Sequence, residues 1–344
     1  MVSLSSVGAD KFSIRGVAAN LELAERFTIA VESWDVASNV FAIVSYGDHT
    51  GVGEVCPDAR WGDSADSVLK EIAAVDLNGL ASPFDLEGLS HLMPATAARC
   101  AVDIAMHDLA AKIASVSVAE MLGLGGRSIP ETSVTVPIAD LDVMVARARK
   151  LAAYPAMKLK VGFDGDVDAV RAIREVYDGR IRIDANEGWS ADQAIERLDA
   201  LAELDIELCE QPVPKGDYDG WSRVKERSSI PIFADEDAGT AEDVAKLAGR
   251  ADGVNLKLRK AGGIRELVKG TVAARALGMG VMIGCDLESG IAATAGASAA
   301  SLCDFVDLDG PLLLATDPYP GVRYDGARLS LPDAPGLGIE KAPE

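Results

Sequence analysis

Read for its apolar and polar positions, the chain changes character near residue 132. Residues 11–31 and 39–46 alternate apolar with polar, the period-two signature of half-buried strands. Gly47-Asp48-His49-Thr50-Gly51 supplies a turn into a third strand at 51–56. In 97–114, Val102, Met106, Leu109 and Ile113 recur every three or four residues, which predicts a helix with one apolar face. From 132 onward, short apolar strands alternate with amphipathic helical stretches. The strands are expected at 133–138, 157–161, 181–186, 207–212, 231–236, 253–258, 280–285 and 305–309, with helices between them, for example at 141–153, 190–204 and 262–277. The Ala-, Gly- and Ser-rich segment 291–302 suits a packed helix.

Eight evenly spaced strands, each but the last followed by a helix, imply a closed parallel barrel. After the last strand come Pro311, Pro318 and Pro320 and no clear helical pattern, so the reading is α/β, a (β/α)7β modified TIM barrel. The expected domains are an α+β N-terminal domain over 1–130, the barrel over 131–320, and a turn-rich tail over 321–344 that packs back on the first domain. An open doubly wound sheet is disfavoured, because no Gly-rich phosphate loop follows the first strand.

Composition narrows the function. There are 54 acidic and 33 basic residues, a net charge of −21. Such a surface repels phosphate backbones and anionic lipid heads, which argues against nucleic-acid and membrane partners and favours a cationic ligand or metal. Cys56, Cys100, Cys209, Cys285 and Cys303 are scattered and odd in number, with no CxxC, as reduced cytoplasmic thiols would be. Residues 1–6 lack a basic region followed by an apolar run, so no secretion leader is expected, and no apolar stretch is long enough to span a bilayer. The motifs HExxH, GxSxG, GKS/GKT and GxGxxG are absent, which removes zincin, triad, P-loop and dinucleotide readings.

In a parallel barrel, chemistry gathers at the carboxyl ends of the strands. Asp184, Glu210 and Asp235 end three successive strands, one βα unit apart. Three carboxylates aimed at one mouth need a counter-charge, and oxygen-only ligands suit Mg2+ better than zinc. Lys158 and Lys160 are two apart on one strand and therefore share a face. Positive charge from Lys158 and a metal suits Lys160 to act as a base near neutral pH. Lys257 ends the sixth strand, across the mouth from Lys160. Two bases flanking a metal-held carboxylate can remove a proton from one face and return it on the other through an enediolate. Lys260 has the opposite parity, lies past the strand, and is expected at the surface.

Lys158-Leu159-Lys160-Val161-Gly162, Asp184-Ala185-Asn186, Glu210-Gln211-Pro212, Ala234-Asp235-Glu236, Asn255-Leu256-Lys257 and Ala261-Gly262-Gly263, taken in order, resemble the muconate-lactonising branch of the enolase superfamily. The resemblance covers roughly residues 12 to 340 and includes Pro335-Gly336-Leu337-Gly338. It implies a capping domain over the barrel and magnesium on Asp184, Glu210 and Asp235. It also implies acid/base roles for Lys160 and Lys257, a helper role for Lys158, and a homo-oligomer.

Within that branch, Asp307-Leu308-Asp309 on the eighth strand resembles the DxD of dipeptide epimerases, which holds the substrate α-ammonium. The resemblance therefore implies epimerisation at the α-carbon of a dipeptide's C-terminal residue. Relatives that act on Ala-Glu place an arginine in an early loop; the matching position here is Glu32, a charge reversal. Asp286 adds an acid where many relatives are apolar, and Asp237 stands where serine is expected. Glu32 and Asp286 together imply a preference for dipeptides with a Lys or Arg side chain. Glu288 is expected at the mouth, and Trp61 in the loop 57–63 is a candidate for closing the site. The alternatives are an N-acylamino acid (N-succinylamino acid) racemase or cycloisomerase, which would not need Asp307 and Asp309 together. A non-catalytic small-molecule-binding barrel would show erosion of a catalytic position, and none is eroded.

Overall fold

The structure, a computed structural model, describes residues 11–343; the leader reading at residues 1–6 lies outside them. Three antiparallel strands open the chain: β1 (Phe12–Thr28), β2 (Ser33–Tyr46) and β3 (His49–Val55), in the order β1-β2-β3. The two alternating stretches, 11–31 and 39–46, are thus strands folded on each other, the second beginning earlier than expected, at Ser33, with a register shift between Glu22 and Phe27.

The helix Ala97–Ala114 lies across this sheet. It is buried nearly all round, Arg99, Asp103, His107 and Asp108 included, rather than on the single face its periodicity suggests. It is packed on two sides, against β2 and β3 on one and against the barrel segments around Leu258–Ala276 on the other. Gly51 and Gly53 permit the first contact, since a Cβ at either would stand about 2 Å from a carbonyl oxygen of the helix, on Ala105 or Ala101.

The second contact is polar. Arg99 Nε and Nη2 donate to the carbonyls of Gly262 and Ala261 at 3.1 and 3.0 Å. Asp103 Oδ1 accepts from Ile264 N at 2.6 Å, which caps the helix Ile264–Ala276 in place of a side chain of its own. Gly262 and Gly263 have φ of +81° and +126°, and a Cβ on Gly263 would meet the Asp103 carboxylate at 2.2 Å. The Ala261-Gly262-Gly263 motif is therefore where the first domain's helix docks.

Eight parallel strands follow: β4 (Val134–Val136), β5 (Ala156–Lys160), β6 (Arg180–Asp184), β7 (Ile206–Glu210), β8 (Ile232–Ala234), β9 (Gly253–Lys257), β10 (Gly280–Gly284) and β11 (Phe305–Asp307). Each pairs with its sequence neighbour, and a Thr132–Val306 bridge joins β11 to β4 and closes the cylinder. Residues facing the helices are apolar (Leu159, Ile183, Cys209, Ala234, Val254). The lower interior is plugged by Leu208, Phe233, Met282 and Phe305, with Arg182 stacked over Phe305 at 5.0 Å and bonded to Glu207. The helix Gly290–Ala299 is buried throughout, as its composition predicts.

Buried Glu54 of β3 accepts from Asn39 Nδ2, Ser289 N and Oγ, and Ala292 N, tying the first sheet to the loop after β10. The tail makes a hairpin of β12 (Arg323–Asp325) and β13 (Arg328–Ser330), then returns to the first domain. There Asp108 Oδ1 accepts from Leu337 N at 2.7 Å, and Gly336 pairs with Val116 and Val118.

Candidate active site

The polar layer sits above the apolar plug, as period two requires. Inward positions on β5 carry Lys158 and Lys160, those on β6 carry Arg182 and Asp184, and β7 carries Leu208 and then Glu210. Register sets Lys160 beside Asp184, and Asp184 beside Glu210. Asp184, Glu210 and Asp235 are buried, and each offers an oxygen within 4.8 Å of the others. They lie behind Lys158, Lys160 and Lys257, which line a cavity of about 370 Å³ between the barrel mouth and the first domain.

Three lysines expected at the mouth contact this cluster. Lys158 Nζ lies 3.0 Å from Asp184 and Glu210 and 2.9 Å from Asp307. Lys160 Nζ lies 2.7 Å from Asp184, and Lys257 Nζ 3.1 Å from Asp235. Burial opposes the charge on Lys158, but Asp184, Asp307 and Glu210 hold its ammonium well above the usual range. β5 and β9 are four strands apart in a ring of eight, so Lys160 and Lys257 line opposite sides of the cavity.

The fourth lysine departs from the parity reading. Lys260 is buried, bonded to the carboxylate and carbonyl of Asp235 and, at 2.9 Å, to Asn255 O. The chain enters a helical turn, Leu258–Ala261, as soon as β9 ends, which swings this side chain back under the mouth. Strand parity cannot be carried past the end of the strand.

The cluster fits a hard divalent cation. All its donors are carboxylate oxygens. Glu210 Oε2 is buried and makes no directed hydrogen bond despite its nearness to Lys158. Burial, and then Asp184, push the Glu210 carboxyl up to about 8, the response of an acid that lacks sufficient positive charge nearby.

Asp307 and Asp309 both line the cavity wall. Asp307 accepts from Ser133 Oγ at 2.6 Å as well as from Lys158. Asp309 Oδ2 accepts from Thr135 N at 2.7 Å, and its only other neighbour among the described polar contacts is the Cys285 thiol at 3.8 Å. Burial, then Asp307, push its carboxyl up to about 6.

Glu32 lines the cavity, and its side chain makes no ion pair among the described residues. Asp63, which the sequence did not single out, is another cavity carboxylate without an ion pair among them. Asp286 also lines the cavity but is not a free acid: Arg259 Nε donates to it at 2.9 Å, and Lys257 is 3.6 Å away. Its anion is already matched, so it offers little to a substrate cation.

Trp61 does not line the cavity. It lies between Lys215, whose Nζ is 3.3 Å from the ring centroid, and Arg259 at 5.1 Å, anchoring the loop 57–63. The loop residues that reach the cavity are Pro57, Asp58, Ala59, Arg60 and Asp63. Asp237 is structural: it accepts from Gln211 Nε2, Trp221 Nε1 and Gly216 N. Glu288 is buried outside the cavity lining, beside Gly310, with its carboxyl held well above the usual range by burial and then by Asp286.

Comparison with known proteins agrees with this architecture. Residues 14–123 match the model of the mandelate racemase/muconate lactonizing enzyme N-terminal domain, and residues 143–344 that of the enolase C-terminal domain-like family. An L-Ala-D/L-Glu epimerase of Bacteroides thetaiotaomicron is 37% identical over 328 residues, 93% of this chain and 86% of the relative. The substrate-liganded L-Ala-D/L-Glu epimerase of Bacillus subtilis superposes with a TM-score of 0.91 at 32% identity, covering 96% of this chain and 99% of that one. The dipeptide epimerase of Enterococcus faecalis, complexed with Mg and L-Leu-L-Tyr, gives 0.89 at 32% identity, with the same coverage.

Proposed function

The chain belongs to the mandelate racemase/muconate lactonizing enzyme family of the enolase superfamily, and from that premise we propose that it is an isomerase that epimerises dipeptides. One observation carries the reading. Two lysines stand on opposite sides of a cavity walled by an aspartate pair, each paired behind that wall with a member of a three-carboxylate cluster.

One lysine amine, Lys160 or Lys257 according to the epimer, takes the α-proton of the C-terminal residue. The electron pair passes into the adjacent carboxylate, giving an enediolate. The ammonium of the other lysine then returns a proton to the opposite face. Asp184, Glu210 and Asp235 would hold magnesium, which when bound supplies positive charge against the developing enediolate. Lys158, locked between Asp184, Glu210 and Asp307, adds fixed positive charge beside Lys160.

Asp309, and Asp307 behind it, are the receptors for the substrate's α-ammonium. An arriving cation favours ionised Asp309, whose carboxyl is otherwise pushed up. Glu32 and Asp63 give the outer cavity a negative character suited to a Lys or Arg side chain. Asp286, matched by Arg259, is no longer part of that argument.

The test is deuterium uptake. Pools of L,L-dipeptides are incubated with enzyme and magnesium in D2O and read by mass spectrometry. The expected outcome is a gain of one mass unit confined to dipeptides and greatest for those with Lys or Arg. Exchange on N-succinyl or N-acyl amino acids, with none on dipeptides, would overturn it.

A further inference from the structure

A lysine at the end of a strand is anchored only at its Cβ; four torsions still have to be fixed before its Nζ faces a substrate carbon. Each of the two facing lysines is held by its own set of contacts. Lys160 Nζ donates to Asn186 Oδ1 at 3.1 Å, and Asn186 Nδ2 donates to Glu236 Oε1 at 3.2 Å. Arg60 Nη1, from the loop 57–63, lies 3.6 Å from the same glutamate oxygen. On the other side, Lys257 Nζ lies 3.6 Å from Asp286, Arg259 Nε donates to Asp286 at 2.9 Å, and Arg259 Nη2 is 3.7 Å from Asp58. The two lines meet on the loop, where Arg60 Nη2 donates to Asp58 Oδ2 at 2.9 Å.

Two features set this arrangement apart from ordinary packing. Asn186 is held at φ +40°, in the left-handed region that asparagine tolerates better than most residues with a side chain, and there its amide bonds Lys160 on one side and Glu236 on the other. Glu236 is 3% exposed, and its Oε2 has no hydrogen-bond partner, so the carboxylate is buried at a cost that its contacts do not fully repay. At the lysines the two lines share no hydrogen bond or ion pair among the described residues: Lys160 makes none with Asp286 or Arg259, and Lys257 none with Asn186 or Glu236, on which it acts only at longer range.

We propose that Asn186 and Glu236 are positioning residues for Lys160, that Asp286 and Arg259 are positioning residues for Lys257, and that the Asp58–Arg60 pair of the first domain joins the two arms. The proposal rests on the assignment of the two lysines as the facing bases. Its consequence is stereochemical: damage to one arm impairs proton transfer at one face only.

The experiment uses the full chain with magnesium in D2O and each epimer of one active dipeptide in turn. Removal of the α-proton by a lysine amine gives an ammonium; exchange of that ammonium with solvent, followed by return from the same lysine, leaves deuterium at carbon with configuration retained. Asn186→Ala should cut uptake into the epimer that faces Lys160 by about 100-fold, the cost of a misplaced group of roughly 1 Å. The epimer that faces Lys257 should keep exchanging with retention while its conversion falls. Asp286→Asn should show the mirror pattern. A second readout needs no turnover: reductive methylation, scored by peptide mass spectrometry, should shift the labelling of Lys160 relative to Lys257 in Asn186→Ala, and in the opposite sense in Asp286→Asn. Equal losses for both epimers in both variants, with an unchanged labelling ratio, would overturn the two arms. Arm-specific labelling in an enzyme that exchanges no dipeptide would sustain the arms and sink the dipeptide reading.

Discussion

At the scale of single residues, the separation between chemistry and selectivity is clear. The amines that would move a proton, on buried Lys160 and half-buried Lys257, are each held by two partners, whereas Glu32 stands in the cavity wall with no ion pair among the described residues. A side chain without a partner can be changed with little structural cost. Glu32→Arg is therefore expected to leave the fold intact and to lower the turnover of Lys- or Arg-containing dipeptides relative to acidic ones by roughly tenfold, the value of about one near-surface charge contact. Competition assays on mixed dipeptide pools measure the ratio; an unchanged ratio would remove Glu32 from the specificity argument. Asp286 shows why charge cannot be read from composition alone. In the sequence it is one more acid, but in space it is the partner of Arg259, a residue with no strand or helix periodicity to announce it.

At the scale of elements, the helix Ala97–Ala114 is the joint between sheet and barrel, and it contains a titrating pair. Burial acts to lower the pKa of His107, but the Asp103 carboxylate and the bonds to Asp103 outweigh it, with Arg265 opposing, so the folded value is raised above 6.5. A raised imidazole pKa contributes stability that is fully present below 6.5 and is lost as pH rises through the folded value. Denaturant unfolding at a series of pH values should show that loss in the parent and a flatter profile in His107→Gln; parallel profiles would contradict it. This helix also marks how far the pattern was legible. Barrel strands could be placed to within a residue or two because a buried parallel strand is a short apolar run bounded by turns. The lysines and carboxylates were legible because period two fixes which side they face. The helix's burial on every side was not legible, since its second partner, the turn around Gly262 and Gly263, is some 160 residues away in the chain. Lys260 failed for a related reason, a change from strand to helix within three residues. Asp58 and Arg60 sit in a loop whose sequence has no period at all.

At the scale of the whole molecule, the net charge of −21 and the buried carboxylate cluster pull in one direction. Both make a divalent cation stabilising, the first by long-range attraction and the second by direct ligation. Magnesium at 100 times its dissociation constant should add about 2.7 kcal/mol to the folded state and raise the melting temperature. Asp184→Asn should abolish that rise while leaving the smaller, non-specific effect of monovalent salt. A magnesium response equal in parent and variant would place the ion elsewhere on the acidic surface.

The docking of Arg99 and Asp103 on the Gly262–Gly263 turn, together with the tail's return to Asp108, has a consequence for traffic. A first domain bolted to the barrel along a nearly wholly buried helix would have to break these bonds to swing aside as a door. The loop 57–63 is held at the rim by side chains alone, Trp61 against Lys215 and Arg60 against Glu236, so its release would open the cavity at far smaller cost. Rim side chains such as Glu32 and Asp63 can then change, and the choice of cargo drift with them, while the barrel stays as it is.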